Sequence, residues 1–462
     1  MRGQGADGSK KNVQTLIEAE KEAETARIVE RVGREGKLDL ESAEFYVRSA
    51  VSALGARVLE RLLHDVGVGR QDKPRQCPGN HPHHPHLPCP MLSTGLRQKQ
   101  LRTILGPVRF ARSRYVCPTC GVVEYPGDEV LGIQGGRFSP GLRRLMARAG
   151  SRESFAEAAQ DLQVYGAIHV DPKDVERVAE SVGRQIDDWM RQTATAARLG
   201  VEHAQEPIPI LYVALDGTGA PMRKGELTAT KGKAEDGQAH TREVKLGCVF
   251  TQTTRDEDGN PVRDPDSTSY TGAIEPSVDF GHRLHAEAVR RGLRRAERTV
   301  VLSDGAEYNH TLAEEHFADA IHIIDFYHAA ERLSDFIKDN TGHRSQGALH
   351  QECYGLLEAG AIEQMIERLR QALPRSGKRR KAGLKALGYF TQRREQMRYG
   401  EFRDQGLFIG SGVIEAGCKT LIGKRLKQSG MFWSVAGANA IIAARCCFYS
   451  GRFEDFWTAT AS

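Results

Sequence analysis

Two apolar runs in this chain of 462 residues each end in Asp-Gly. The first is Ile208-Pro-Ile-Leu-Tyr-Val-Ala-Leu-Asp216-Gly217 and the second is Thr299-Val-Val-Leu-Ser-Asp304-Gly305. Both read as strands closed by a turn dipeptide. A third acid, Glu415, stands in Gly410-Ser-Gly-Val-Ile-Glu415-Ala-Gly-Cys-Lys419, near the start of a late helix. Strand C-termini in an open α/β sheet are where such groups converge. Three carboxylates suffice to hold two divalent ions for phosphodiester chemistry, because magnesium prefers oxygen ligands and keeps several waters. The plain alternative is that Asp-Gly marks only a turn, as it does at Asp236 and Asp258, where no strong apolar run precedes it.

From Pro207 the pattern becomes mixed α/β. Strands are predicted at 208–216, 242–252, near 268–273, 299–303 and 320–325, with a polar loop over 223–241. Helices are predicted from about 277 to 296 and from about 306. Residues 329–405 read as largely helical, and the last helices cover about 412–428 and 435–449. That is the element order of a ribonuclease H-like core with a helical insertion before its late catalytic helix. On this last element Glu415 and Lys419 share a face, while Ile414, Cys418, Leu421 and Ile422 can face the core.

Residues 1–70 are charged, with helical periodicity from Val13 to about Gly67; the first dozen are predicted to be disordered. Next comes a segment rich in Pro, His and Cys. Cys117-Pro-Thr-Cys120-Gly121 has the spacing of a zinc knuckle. Cys77 and Cys89 are the candidates for the other two ligands, but the gap between them is long for a knuckle and holds His81, His83, His84 and His86. His81 is the alternative to Cys89. Arg109, Arg112 and Arg114 alternate with apolar residues and predict short basic strands. These suit phosphate contacts or a charge-protected ribbon edge. Helix returns over 138–200, with a start at Ser139-Pro140 and an amphipathic stretch from Ser154 to Leu162.

The net charge of +5 permits a nucleic-acid partner without requiring one. Local basic stretches say more: Lys378-Arg-Arg-Lys381 with Arg393, Arg394 and Arg398, and Lys419 to Lys427. Each can equally be a solvated helix face. No run of about 18 apolar residues occurs, so no membrane span is expected. The first residues lack the apolar segment of a signal peptide. Nine cysteines, two of them adjacent at Cys446 and Cys447, fit a reducing cytoplasm better than a disulfide framework.

Several long motifs resemble the insertion-sequence DDE transposases of the Kra type. They are Leu215-Asp-Gly-Thr-Gly219, the segment Lys233–Gly247, Leu302-Ser-Asp-Gly-Ala-Glu307, Ile324-Asp-Phe-Tyr-His328, the Glu415 motif, Arg425–Trp433, Gly437-Ala-Asn-Ala-Ile-Ile and Gly451–Trp457. They span about 210–457, with weaker similarity back to about 75. The resemblance implies a ribonuclease H-like fold, magnesium-dependent DNA cleavage and strand transfer, and Asp216, Asp304 and Glu415 as catalytic acids holding two Mg2+ ions, with Mn2+ as the alternative. Asp325-Phe-Tyr-His328 resembles the Asp-x-x-His signature of Mutator-like transposases. Under that resemblance His328 acts on DNA; otherwise Asp325 is a helix cap and His328 a packed residue. Gly217-Thr-Gly219 is too short for a phosphate loop, and Trp433 and Trp457 read as core.

The resulting expectation is an α/β protein in five parts: a helical segment at 1–70, a zinc-ribbon-like DNA-binding region at 71–130, and a helical region at 131–206. A ribonuclease H-like core follows at 207–328 and 410–457, interrupted by a helical insertion at 329–409. Its partners would be DNA, as transposon ends and target, and further copies of itself on that DNA. Its location would be the cytoplasm, at the nucleoid, and a structural Zn2+ would stabilise the second region. The rival readings are a nuclease or resolvase that cuts without joining, and an inactive zinc-dependent DNA-binding regulator.

Overall fold

The computed structural model describes residues 39–65, 68–69, 75–79, 89–133, 136–200, 206–227, 240–341 and 346–461, with scattered positions between 15 and 30. The expectations for the first dozen residues, for His81, His83, His84 and His86, and for Lys233 to Gln238 lie outside the described residues. The chain divides into two units, with the boundary between Ala179 and Glu180.

The first unit pairs a helix, α1 (Leu40–Asp65), with a four-stranded antiparallel sheet. Its strands are β1 (Arg75–Gln76), β2 (Pro90–Thr103), β3 (Gly106–Val116) and β4 (Val123–Glu124), in that spatial order. The basic strands are therefore long rather than short. Thr103 closes the β2–β3 turn: its hydroxyl donates to the Gly106 carbonyl at 2.9 Å and accepts the Leu105 amide at 3.1 Å. Alternation works as the sequence predicts. Val108 and Phe110 point inward and join Leu101, Ala56 and Ile133, while Arg109 is exposed.

Arg112 departs from the expected set of phosphate contacts. It is paired with the buried Asp128 of α2 (Pro126–Val130), and its guanidinium lies 3.6 Å over the Tyr125 ring. Lys99 lies 3.7 Å from the same carboxylate. A buried acid needs partners, and this one takes them from the ribbon. Both predicted helix starts form. Ser139 caps α3 (Pro140–Arg152), accepting the Leu142 amide at 3.2 Å, and Ser154 with Glu157 makes a reciprocal capping box for α4 (Phe155–Gly166). A long helix, α5 (Pro172–Leu199), carries the chain onward.

The second unit is built on β5 (Ile208–Pro221), β6 (Thr241–Gln252), a small ribbon of β7 (Thr254–Arg255) and β8 (Pro261–Val262), and β9 (Ser269–Ala273). Then come α6 (Ser277–Arg290), β10 (Ala296–Ser303), α7 (Glu307–His316) and β11 (Ile321–Ile324). Five strands form one mixed sheet in the order β11-β10-β5-β6-β9. β9, β6 and β5 are antiparallel; β10 runs parallel to β5, and β11 parallel to β10. The helical stretch comprises α8 (Phe326–Asn340), α9 (Gln346–Glu358), α10 (Ile362–Ala372), α11 (Lys378–Gln392) and α12 (Tyr399–Asp404). α13 (Gly412–Gly417) passes through a π-helical segment, Cys418–Gly423, into α14 (Lys424–Leu426); α15 (Val435–Tyr449) and α16 (Phe453–Ala461) end the described chain. Among the described residues no helix is long and apolar enough to cross a membrane.

Burial on both faces explains the continuous apolar run of β5. Leu211, Val213 and Leu215 pack with Phe280 and Leu284 of α6 and Leu312 and Ala313 of α7. On the opposite face Tyr212 stacks on Phe250 at 4.8 Å, and its hydroxyl donates to Gln252 at 2.6 Å. β5 does not stop at Asp216. It stays paired with β6 as far as Pro221 opposite Thr241. Gly217 and Gly219 are therefore close-packing residues inside a strand rather than turn formers. A Cβ at Gly217 would sit 2.6 Å from the Glu243 carboxylate, and one at Gly219 would sit 2.9 Å from the Thr241 hydroxyl.

Candidate metal centres

Strand register sets the acidic site. In the parallel pair of β10 and β5, Leu302 lies opposite Ala214. Two residues further along each strand this puts Asp304 beside Asp216. In the next pair Ser303 lies opposite Ile324, so Asp325 follows beside Asp304. Three aspartates thus stand side by side on three neighbouring parallel strands: Asp304 and Asp325 just past the ends of β10 and β11, and Asp216 within β5, just beyond its last residue paired with β10. Asp325 is anchored to this edge by its amide, which donates to the Ser303 carbonyl at 2.8 Å.

The half-buried Asp216 accepts the Gly217 amide at 2.7 Å and the Cys418 thiol. Burial pushes its carboxyl above the ordinary value; Cys418 and the Gly217 amide oppose that, the neighbouring Asp304 adds to it, and His328 opposes it. Asp304 receives the Ala306 amide at 2.9 Å and the Asn309 side chain at 2.7 Å, both on Oδ1. Oδ2 accepts no hydrogen bond among the described residues. Two carboxylates this close repel when ionised, and a cation relieves that repulsion.

Glu415 enters from α13 through Asp325. The Asp325 side chain is fully buried and uses both oxygens. Oδ1 accepts the His328 amide at 2.8 Å and caps α8; Oδ2 accepts the Ser411 amide at 2.5 Å. The Ser411 hydroxyl then donates to Glu415 Oε1 at 3.0 Å. One buried aspartate thereby ties three elements together: its backbone amide holds the end of β10, and its carboxylate holds the starts of α8 and of the glutamate helix. Downstream, the π-helical turn carries the Cys418 thiol that meets Asp216, so α13 and its continuation reach the strand edge at two points. π-turns of this kind recur at functional sites.

Metal-ligating atoms of Asp325, His328 and Glu415 lie within 4.8 Å of one another. Asp216 and Asp304 are not members of that group. Lys419 stands 3.9 Å from Glu415, and Lys427 reaches the Thr218 hydroxyl on the extended part of β5. His328 is half-exposed, with Nδ1 3.7 Å from Glu331. It is not the packed residue that one reading allowed, whereas Asp325 is the helix cap. Ile414, Cys418, Leu421 and Ile422 are buried as predicted. Trp433 is core, its indole donating to the Leu426 carbonyl at 3.0 Å.

Sequence reasoning did not find Tyr308, Asn309, Tyr389 or Ser411. Tyr308 lies against Gly217, where a Cβ would stand 3.0 Å from its hydroxyl, and Lys245 sits 5.5 Å from its ring. Tyr389 comes from the helical stretch and fills the space that a side chain at Gly305 would need. Gly305 has φ +77°, which favours glycine independently. The Asp304-to-Asn309 spacing was a legible signal; the two tyrosines belong to no local pattern.

A separate cluster lies in the first unit. The Cys77, Cys117 and Cys120 sulfurs fall within 4.8 Å of one another and could hold a zinc ion. Cys77 lies 3.5 Å from Cys120, and Cys89 lies 3.3 Å from Cys117. A tetrahedron with ~2.3 Å metal–sulfur bonds has edges of about 3.8 Å, close to these spacings. Cys89 stands outside the mutual group of three and also contacts the Thr119 hydroxyl at 3.1 Å. Burial works against the Cys117 thiolate, but the Cys120 amide, the Cys89 thiol and the Thr119 amide outweigh it and bring the thiol down to about 6. Gly79 lets the chain pass: a Cβ there would stand 3.2 Å from the sulfurs of both Cys77 and Cys120.

No family model matches the chain, and no curated protein matches it. Among solved structures, the chain has a weak similarity to the Drosophila P element transposase strand transfer complex. The identity is 10%, the TM-score 0.24, and the match covers 70% of this chain and 81% of that one. At that score no residue's role is carried across.

Proposed function

We propose that this protein is a DNA transposase of the DDE type, with Asp216, Asp304 and Glu415 as its catalytic acids. The observation that carries the reading is the register that aligns Asp216 with Asp304 where the β5–β10 pairing ends, next to a glutamate helix held to the same place by Asp325. The strand order, three antiparallel strands followed by two parallel ones with α6 and α7 as crossovers, supports a ribonuclease H-like core at 207–328 and 410–457, with 329–409 as its insertion.

The donor set fits hard divalent cations: half-buried carboxylates, an Asp304 Oδ2 that accepts no hydrogen bond among the described residues, and mutual repulsion that a cation relieves. Two bound ions, Mg2+ or Mn2+, would polarise a phosphodiester and activate a water or a 3′-hydroxyl. Asp216 and Asp304 would hold them from the sheet and Glu415 from α13. Lys419 and Lys427 offer positive charge to the DNA backbone beside the acids. His328, half-exposed and near Glu415, would contact the scissile phosphate or the transferred strand. In the first unit, Cys77, Cys117 and Cys120, with Cys89 as the fourth ligand, would hold a structural zinc in a DNA-binding ribbon.

A labelled-DNA assay carrying the ends of the element that encodes this chain tests the reading. Joined products in magnesium support it. Cut products alone indicate a nuclease, and binding without cutting indicates a regulator.

His328 and Asp325 should separate cleanly in that assay. His328→Ala is expected to lower cleavage or joining sharply while leaving stability within about 0.5 kcal/mol, as for most surface changes. Asp325→Ala should cost about 2–3 kcal/mol or more, because it leaves two backbone amides at a buried position without an acceptor. Melting temperature and single-turnover cleavage on the same preparations check both. A large melting loss in His328→Ala with normal activity per folded molecule would remove His328 from the site.

A further inference from the structure

α11 carries a row of cations that the fold does not use. At 100° per residue, Lys378, Lys381, Lys385 and Tyr389 fall within about 80° of one another and make one stripe along the helix. Gly383, Leu387 and Phe390 are the buried residues and occupy the opposite side. The three lysines are exposed and make no ion pair among the described residues. Lys378 and Lys381 also sit in the first turn, where the helix dipole disfavours positive charge. Stability therefore does not account for them. By contrast Arg393, Arg394 and Arg398, which the sequence grouped with this run, are paired with Glu307, Glu395 and Glu363.

The stripe leads to the acidic site. Its last member, Tyr389, packs against Gly305 next to Asp304, and its hydroxyl is buried with no hydrogen-bond partner among the described residues. The exposed Arg332 of α8 lies 5.7 Å over the Tyr389 ring and adds one more cation at that end. From Lys378 to Tyr389 the helix advances about 16 Å, which is about five rises of 3.4 Å along a duplex strand.

We infer that this face of α11 is a track for the phosphate backbone of the DNA that flanks the cleaved bond, with Lys378, Lys381 and Lys385 each neutralising a phosphate. The inference rests on the proposed function and names where the flanking strand runs. A solvated face would need no alignment with the site, whereas a track requires it.

The test uses the full-length protein and a labelled 40-base-pair duplex, with binding measured across a salt series. Replacing all three lysines by glutamine should flatten the slope of log K against log salt by about 2.7 on duplex, or about 2.1 on a single strand of the same sequence. From 50 to 200 mM salt the parent protein should lose about 40-fold more duplex affinity than the glutamine variant. The matched Lys→Arg variant should keep the parent slope, and the melting temperature of the glutamine variant should stay level or rise. Should the triple variant fold poorly, Lys385→Gln alone should flatten the duplex slope by about 0.9. An unchanged slope in the glutamine variant overturns the track, as does an equal loss in the arginine variant. If the parent protein itself shows no salt-dependent DNA binding, the proposed function fails first and the track with it.

Discussion

Asp216→Asn, Asp304→Asn and Glu415→Gln should each reduce DNA cleavage by about a thousandfold or more while leaving the fold and DNA binding largely intact. Each substitution removes one charge from the acidic edge and keeps the shape of the side chain. Lewis-acid stabilisation by a bound metal is worth several kcal/mol, and about 4 kcal/mol corresponds to roughly a thousandfold in rate. The fold should tolerate the changes because the acids are only half-buried, and burial disfavours the charge on one of them, Asp216. Asp216→Asn also relieves repulsion with Asp304, so its melting temperature should hold or rise. Single-turnover cleavage beside thermal melting measures both halves of this expectation. Near-normal cleavage by any one variant would remove that residue from the centre.

The second large effect is expected in the first unit. Stripping zinc with a strong chelator, or replacing Cys117 and Cys120 with serine, should unfold the cysteine end of the β2–β3 ribbon, whose other end packs in a separate core with Leu101, Val108 and Phe110. Structural zinc held by thiolates contributes roughly 10–16 kcal/mol in small sites. The small cluster of Met91, Tyr115 and Cys117, with Val122 beside it, is too thin to replace that contribution. About one zinc per chain should be found by metal analysis of protein purified under reducing conditions. Finding none would exclude the site. The Cys89→Ser variant decides the fourth ligand, since zinc stoichiometry should fall only if Cys89 takes part.

Much of the second unit was readable because its signals are local. The apolar runs at 208–215 and 299–303 announce central strands, and their burial on both faces bears that out. Helix starts at Ser139 and Ser154 follow from capping chemistry confined to four residues. Strand ends were harder. Gly217 and Gly219 look like a turn, but their role is set by Glu243 and Thr241 on the partner strand, which no local window shows. Arg112 looked available for phosphate because Asp128, its partner, stands 16 residues away and is buried by the fold. The same reason hid the Asp325–Ser411–Glu415 connection, which spans 86 residues between its first two members. Tyr389 reaches Gly305 only because the helical stretch folds back on the sheet edge. Side-chain identity alone does not encode that return.

The most direct test of the account is the binding of Mn2+, followed by its electron paramagnetic resonance signal, to the protein in complex with DNA. The wild-type complex should hold Mn2+ ions that are lost on Mg2+ competition, and Asp216→Asn, Asp304→Asn and Glu415→Gln should each weaken that binding. A wild-type complex that binds no Mn2+, or three variants that bind it as the parent does, would contradict the claim that these acids form a metal centre.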